Sequence, residues 1–326
     1  MKVMLVTGGA GFVGSNFIRY FLRRNKDFII VNFDKLSHRS NINNLNDVEQ
    51  SPRYHFIKGD ICNYELVDYV FRKYKPQFVI NFASESSVKG INEAVKYGET
   101  NILGTITLLE GARSIWSRAG YRGNRFLQVS DSGVYGLNKG SEDLMEESGL
   151  NPYHPFAASK AGAEIMAMSF YRSYGMPILI TRSCENYGPY QNLDNFVPSC
   201  ICNTLSGKPI SMKSEENNSP REIIYVIDHC IALIRAMFFG KPGEAYNIAS
   251  EYKVSDQEIA GEILRLLGDK TKIPTQDKNL KVPKKSIINS CKARFGLNWA
   301  DKYRLEDGLR ETIKWYMDNE DWWKQK

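Results

Sequence analysis

Histidine is scarce in this sequence. The four present, His38, His55, His154 and His229, show no metal-ligand spacing. The six cysteines (Cys62, Cys184, Cys200, Cys202, Cys230 and Cys291) are scattered, and no two make a C-x-x-C pair. Reduced core thiols in a cytoplasmic protein are expected, with no bound metal. No apolar run is long enough to span a bilayer, and the N-terminus opens on a strand rather than a signal peptide. A strong charge of one sign is missing too: 43 Lys and Arg against 37 Asp and Glu leave a net charge of +6, spread along the chain. That argues against a nucleic-acid partner and is met by acidic small ligands. There is no internal repeat and no low-complexity tract. At 326 residues the chain can bury a large core, arranged as two lobes rather than one.

What is present starts at the first turn. Lys2 to Val6 is short and apolar and reads as a buried parallel strand; Ser15 to Leu22 has apolar residues at helical spacing. Between them Gly9, Gly11 and Gly14 spell G-x-G-x-x-G. Strand, glycine turn and helix together form the context in which a pyrophosphate approaches the backbone and faces the free N–H groups of a helix start. Ile29 to Phe33 reads as the second strand, closed by Asp34. A carboxylate there binds both hydroxyls of an adenosine ribose and repels a 2′-phosphate, which favours NAD over NADP. Lys35 and Arg39 nearby keep NADP as an alternative.

Strands and helices then alternate: strands at Tyr54–Ile57, Phe78–Ala83, Arg125–Val129 and Ile178–Arg182, with helices at Tyr64–Tyr74, from Glu99 through Ala112, and at Ala157–Tyr174. The repeated unit predicts an α/β fold, a Rossmann-type doubly wound parallel sheet whose ligands bind at the carboxyl ends of the strands. Asp60, after the third strand, either meets an adenine amino group or caps a helix. Small Ala83 lets a cofactor lie against the backbone, and Ser130 closes the fifth strand. From Tyr187 onward Gly, Pro and Asn accumulate and the chain leaves the sheet. Helices are expected at Phe196–Leu205, Asp228–Phe239 and Asp256–Leu267, with a strand from Arg221, polar loops near 211–220 and around Lys284 and Lys285, and an aromatic terminal helix. The division is a mainly dinucleotide-binding domain over 1–182 and a smaller, interleaved C-terminal substrate lobe over 183–326.

The sequence resembles the extended short-chain dehydrogenase/reductase family, and within it the dTDP-glucose 4,6-dehydratase branch, over nearly its whole length. The resemblance rests on Thr7 to Gly14, Gly59-Asp60-Ile61, Glu99-Thr100-Asn101, Val134-Tyr135-Gly136, Ser159-Lys160-Ala161, Asn186 to Gln191, Gly243 to Ile248 and Gly308 to Ile313. It implies bound NAD, held by Gly8, Gly11, Phe12, Val13, Gly14, Asp34, Lys35, Asp60, Ile61, Ala83, Ser84, Thr100, Ser130 and Lys160. It also implies a nucleotide-sugar substrate, a dTDP- or UDP-sugar, held by Glu85, Glu185, Asn186, Arg221, Lys284 and Lys285. A homodimer is implied as well, paired through the helix after Glu99 and the helix carrying Lys160.

Departures from that family cluster in the site. Its Tyr-x-x-x-Lys pair is Phe156 and Lys160 here, so the tyrosine that would exchange a proton with the sugar 4-hydroxyl is absent. The acid and base of its elimination step fall on Ser132 and Gly133, and Asp131 takes the place of a threonine. Asp131, Ser132 and Tyr153 are therefore the candidate catalytic residues beside Lys160; equally, Asp131 caps or pairs locally and Tyr153 is a surface residue. An asparagine that contacts phosphate in the family is Glu185, a charge that repels pyrophosphate unless paired. Three readings follow: an NAD-dependent nucleotide-sugar enzyme with replaced acid and base groups, a 4-epimerase-like enzyme, and a non-catalytic binding homologue.

Overall fold

The computed structural model describes residues 1–85, 93–137, 143–210, 220–269 and 287–324. Lys284 and Lys285 lie outside them, as do 211–219 and most of the stretch after Glu85. Among the described residues ten strands run in chain order: β1 (Lys2–Thr7), β2 (Phe28–Asp34), β3 (Tyr54–Lys58), β4 (Phe78–Asn81), β5 (Arg125–Asp131), β6 (Ile178–Ser183), β7 (Glu185–Tyr187), β8 (Arg221–Tyr225), β9 (Ala245–Ile248) and β10 (Lys253–Val254).

Seven of them form one parallel sheet, ordered β3-β2-β1-β4-β5-β6-β9. Every residue of β4 and of β6 is buried, as expected for parallel strands covered on both faces. One face packs on Phe17, Phe21, Leu233 and Met237 of the helices Phe12–Arg24 and Val226–Phe239. The other packs on Val67, Phe71, Leu108, Leu109 and Phe170 of the helices Tyr64–Tyr74, Gly104–Trp116 and Pro155–Tyr174. Local chemistry sets the helix starts. Asn63 accepts the Leu66 N–H, His154 caps a helix with Pro155 in its first turn, and Ser255 and Glu258 form a capping box. A second, three-stranded sheet has the order β10-β8-β7.

Two features differ from the sequence reading. The helix expected from Glu99 begins at Ala94 and passes through a π segment, Gly98–Leu103, before its α-helical part. The chain also returns to the large sheet at β9, whose Tyr246, Asn247 and Ile248 are buried against β6. Chain from beyond residue 182 thus forms the edge of the sheet that the first half begins.

Candidate functional site

The glycine turn is built by close approach. Gly8 has φ +69°, and a Cβ on it would sit 2.6 Å from the Ala83 nitrogen; a Cβ on Gly14 would sit 2.4 Å from the Gly8 carbonyl oxygen. The first helix starts at Gly11 with no side-chain cap, which leaves its leading N–H groups available to an anion. Asp34, 4% exposed, is held in place: its Oδ2 accepts the Ala10 N–H at 2.9 Å and its Oδ1 the Leu36 N–H at 2.8 Å.

All fourteen residues expected to hold the cofactor line one cleft of about 430 Å³ along the carboxyl ends of the strands. Asp34, Lys35, Asp60 and Thr100 stand at one end; Ser130, Asp131, Phe156, Lys160, Glu185 and Asn186 stand at the other. The π segment places Thr100 on this wall, 3.4 Å from Lys35 Nζ. Lys35 also meets Glu85 at 2.6 Å and Asp60 at 3.6 Å. Burial works against its charge, but the hydrogen bond and charge of Glu85 outweigh it and raise its pKa. Glu85, expected at the substrate, is thereby engaged beside the cofactor residues. Asn101 fixes its backbone, accepting the Glu85 N–H at 2.9 Å and donating to the Ser159 hydroxyl at 2.8 Å.

Lys160 is 6% exposed and donates from Nζ to the Val129 carbonyl at 2.7 Å. Burial lowers its pKa, against the carboxylates of Asp131 and Glu164. Asp131 Oδ1 accepts the Gly133 N–H at 2.8 Å, so this residue both caps the turn Ser132–Tyr135 and faces the cleft. Phe156 stacks on His154 at 6.0 Å and meets Tyr97 edge-on at 5.8 Å. Ser132 is absent from the cleft wall, and Tyr153 is 75% exposed and stands off it as well. Behind Lys160 lies a buried network. Glu164 pairs with Arg182 at 2.8 Å, and Arg182 donates to the Tyr135 hydroxyl at 2.7 Å; that hydroxyl donates to Asn247 Oδ1 at 2.8 Å. Burial raises the Glu164 pKa, opposed by Arg182.

Arg221 lies outside the cleft wall, bonded by Glu185 and by Asp256, the latter at 2.5 Å. Glu185 is therefore paired, as a carboxylate near phosphate would need to be. Sequence reasoning missed His229, Asn44, Tyr190 and Trp322, which also line the cleft. His229 is fully buried with no partner on either ring nitrogen among the described residues, and burial pushes its pKa down to about 3. Asn186 Oδ1 and Gln191 Oε1 are likewise without a partner among the described residues on the same wall. Orphaned polar atoms, a glycine cradle and a fixed carboxylate together suit a dinucleotide.

The fold and cleft define a Rossmann-type α/β protein. The chain belongs to the family described as GDP-mannose 4,6 dehydratase, whose model matches residues 5–312. It is 34% identical over 343 residues to dTDP-glucose 4,6-dehydratase of Neisseria meningitidis, covering 99% of this chain and 96% of that one. It is 35% identical over 338 residues to the Haemophilus influenzae enzyme of the same name, covering 98% and 99%. Among solved structures, dTDP-glucose 4,6-dehydratase of Bacillus anthracis in complex with NAD superimposes with a TM-score of 0.88 at 34% identity, covering 100% of this chain and 99% of that one. UDP-glucose 4-epimerase of Thermotoga maritima with UDP-glucose gives 0.85 at 26% identity, covering 97% and 99%.

Proposed function

We propose that the protein is an NAD-dependent nucleotide-sugar-modifying enzyme on the dehydratase plan, with its proton-transfer groups replaced. The observation that carries this reading is the continuous cleft from Asp34 to Lys160 and Asp131. Asp34 would hold the adenosine ribose, the glycine turn the pyrophosphate and Lys160 the second ribose. NAD, when bound, supplies a reversible hydride acceptor. Of the four residues around Lys160 on the wall, Val129, Ser130, Asp131 and Phe156, Asp131 carries the carboxylate. It is the group that would take the proton of a sugar hydroxyl in place of the missing tyrosine. Lys160 beside it stabilises the carboxylate and orients the ribose. Ser132 and Gly133 supply no acid and base pair, which favours epimerisation at a hydroxyl-bearing carbon over loss of water.

A non-catalytic binding role is the second reading. It is favoured by Phe156, which has no proton to exchange, and by Arg221, already shared between Glu185 and Asp256. The deciding experiment incubates the protein with NAD and dTDP-, UDP-, GDP- and CDP-sugars, then reads mass and retention. An isomer of unchanged mass supports the epimerase reading, and loss of water means dehydration with relocated groups. NAD binding with no turnover of any sugar puts the binding role first.

The dimer implied by the resemblance belongs to the same proposal, as does a cytoplasmic location. Leu103 and Ile165, 50% and 60% exposed, lie on the two helical segments that would pair. Ile165→Arg is expected to shift the protein to monomer in analytical ultracentrifugation while preserving its fold.

A further inference from the structure

One wall of the cleft is supplied by the far end of the described chain. Trp322, on the short helix Glu320–Lys324, lines the cleft and donates from indole Nε1 to Asn44 Oδ1 at 2.8 Å. Asn44 is 2% exposed, and its Nδ2 donates to the Ala10 carbonyl at 2.9 Å. Ala10 sits inside the glycine turn, and its own N–H donates to Asp34 Oδ2 at 2.9 Å. Hydrogen bonds therefore tie the terminal helix through Asn44 to the backbone of Ala10 in the turn, and the same residue is tied to the carboxylate. The link is directional. An asparagine oxygen engaged by an indole N–H leaves the NH₂ group to face the other way, here onto Ala10. Trp322 is seated against Trp315 and Tyr190, with ring centroids 5.0 and 6.2 Å away. Arg19 lies over the Tyr190 ring at 4.3 Å and also bonds the Asn44 carbonyl.

We infer that Trp322 is a cofactor-positioning residue, which sets dinucleotide affinity by holding Asn44 and, through it, the glycine turn and Asp34. This rests on the NAD reading above. The same helix provides the control. Trp323 is 6% exposed and donates its indole N–H to the Tyr316 carbonyl at 2.8 Å, off the path to the turn. Three variants of the full chain, Trp322→Phe, Trp323→Phe and Asn44→Ala, and the Trp322→Phe/Asn44→Ala pair would be compared. The readouts are NAD affinity by calorimetry and the melting temperature of the NAD-free protein. Trp322→Phe is expected to weaken NAD binding about three- to tenfold, the size of one lost hydrogen bond. Trp323→Phe is expected to lower the melting temperature and leave NAD affinity within twofold. In the Asn44→Ala background, Trp322→Phe is expected to add nothing further. Equal effects of the two tryptophan variants on NAD affinity, no effect of Trp322→Phe, or additive losses in the pair would each overturn the inference. If the wild-type protein itself fails to bind NAD, the cofactor reading falls first and the inference with it.

Discussion

At Lys160 the cost of burying a charge and the use of that charge meet in one residue. The ammonium is buried, its pKa is lowered by that burial, and it donates a hydrogen bond to the Val129 carbonyl. Lys160→Met keeps the aliphatic stem and removes the desolvated cation. Its thermal stability is expected to equal or exceed the wild type, while NAD affinity falls by about tenfold or more, the weight of a hydrogen bond to a charged group. Phe156 allows a complementary test. Phe156→Tyr restores one proton-transfer group, but Ser132 and Gly133 still lack the elimination pair, so no loss of water from dTDP-glucose is expected by mass spectrometry. Glu222 is a residue whose protonation bears on stability. It is buried on β8, accepts the Ile288 N–H at 3.0 Å, and burial pushes its carboxyl up to about 7 from an ordinary 4.5. The folded protein thus holds this proton more tightly than the unfolded chain. Its contribution is full below about pH 4.5 and is lost as the pH rises through 7. Glu222→Gln keeps an acceptor and removes the titration. Denaturant melts should show the variant gaining on the wild type between pH 5 and 8, by roughly 3 kcal/mol at the upper end.

Among the elements, the glycine turn tolerates little change. Gly14→Ala places a methyl 2.4 Å from the Gly8 carbonyl, a backbone atom that cannot swing aside. A loss of about 1–3 kcal/mol in stability is expected, together with weaker NAD binding in the folded fraction. This element was legible in the sequence because everything it needs is local: an apolar strand, three spaced glycines, a helical pattern, and Asp34 at the end of the next strand. The helix Tyr64–Tyr74 was legible for the same reason, with Asn63 in place to cap it. The π segment at Gly98–Leu103 was not, because its spacing differs from an α-helix by one hydrogen-bond register over a single stretch. The strand β9 has four residues and shows its burial only once β6 lies beside it.

Across the whole molecule, the unread side-chain contacts share one cause: their partners are far apart in sequence. Trp322 meets Asn44 across 278 positions, and Arg221 meets Glu185 on one element and Asp256 on another. His229 reads as one more residue on an apolar helix until the cleft is seen to reach it. Spacing reveals a turn or a helix face, but it holds no record of which loops the lobes bring together.

The edge strand β9 also decides what a fragment of this protein would do. A piece ending at residue 182 carries nearly all of the dinucleotide residues, yet it lacks β9, the neighbour of β6. Its sheet would end on a strand that is buried in the whole protein, with an open row of amide and carbonyl groups, the template on which chains pair with one another. Expressed alone, such a fragment is expected in the insoluble fraction, and solubility should return when the sequence through residue 248 is restored. In folding terms the first 182 residues are not separable cargo: the edge of their sheet is sealed by chain that comes more than sixty positions later.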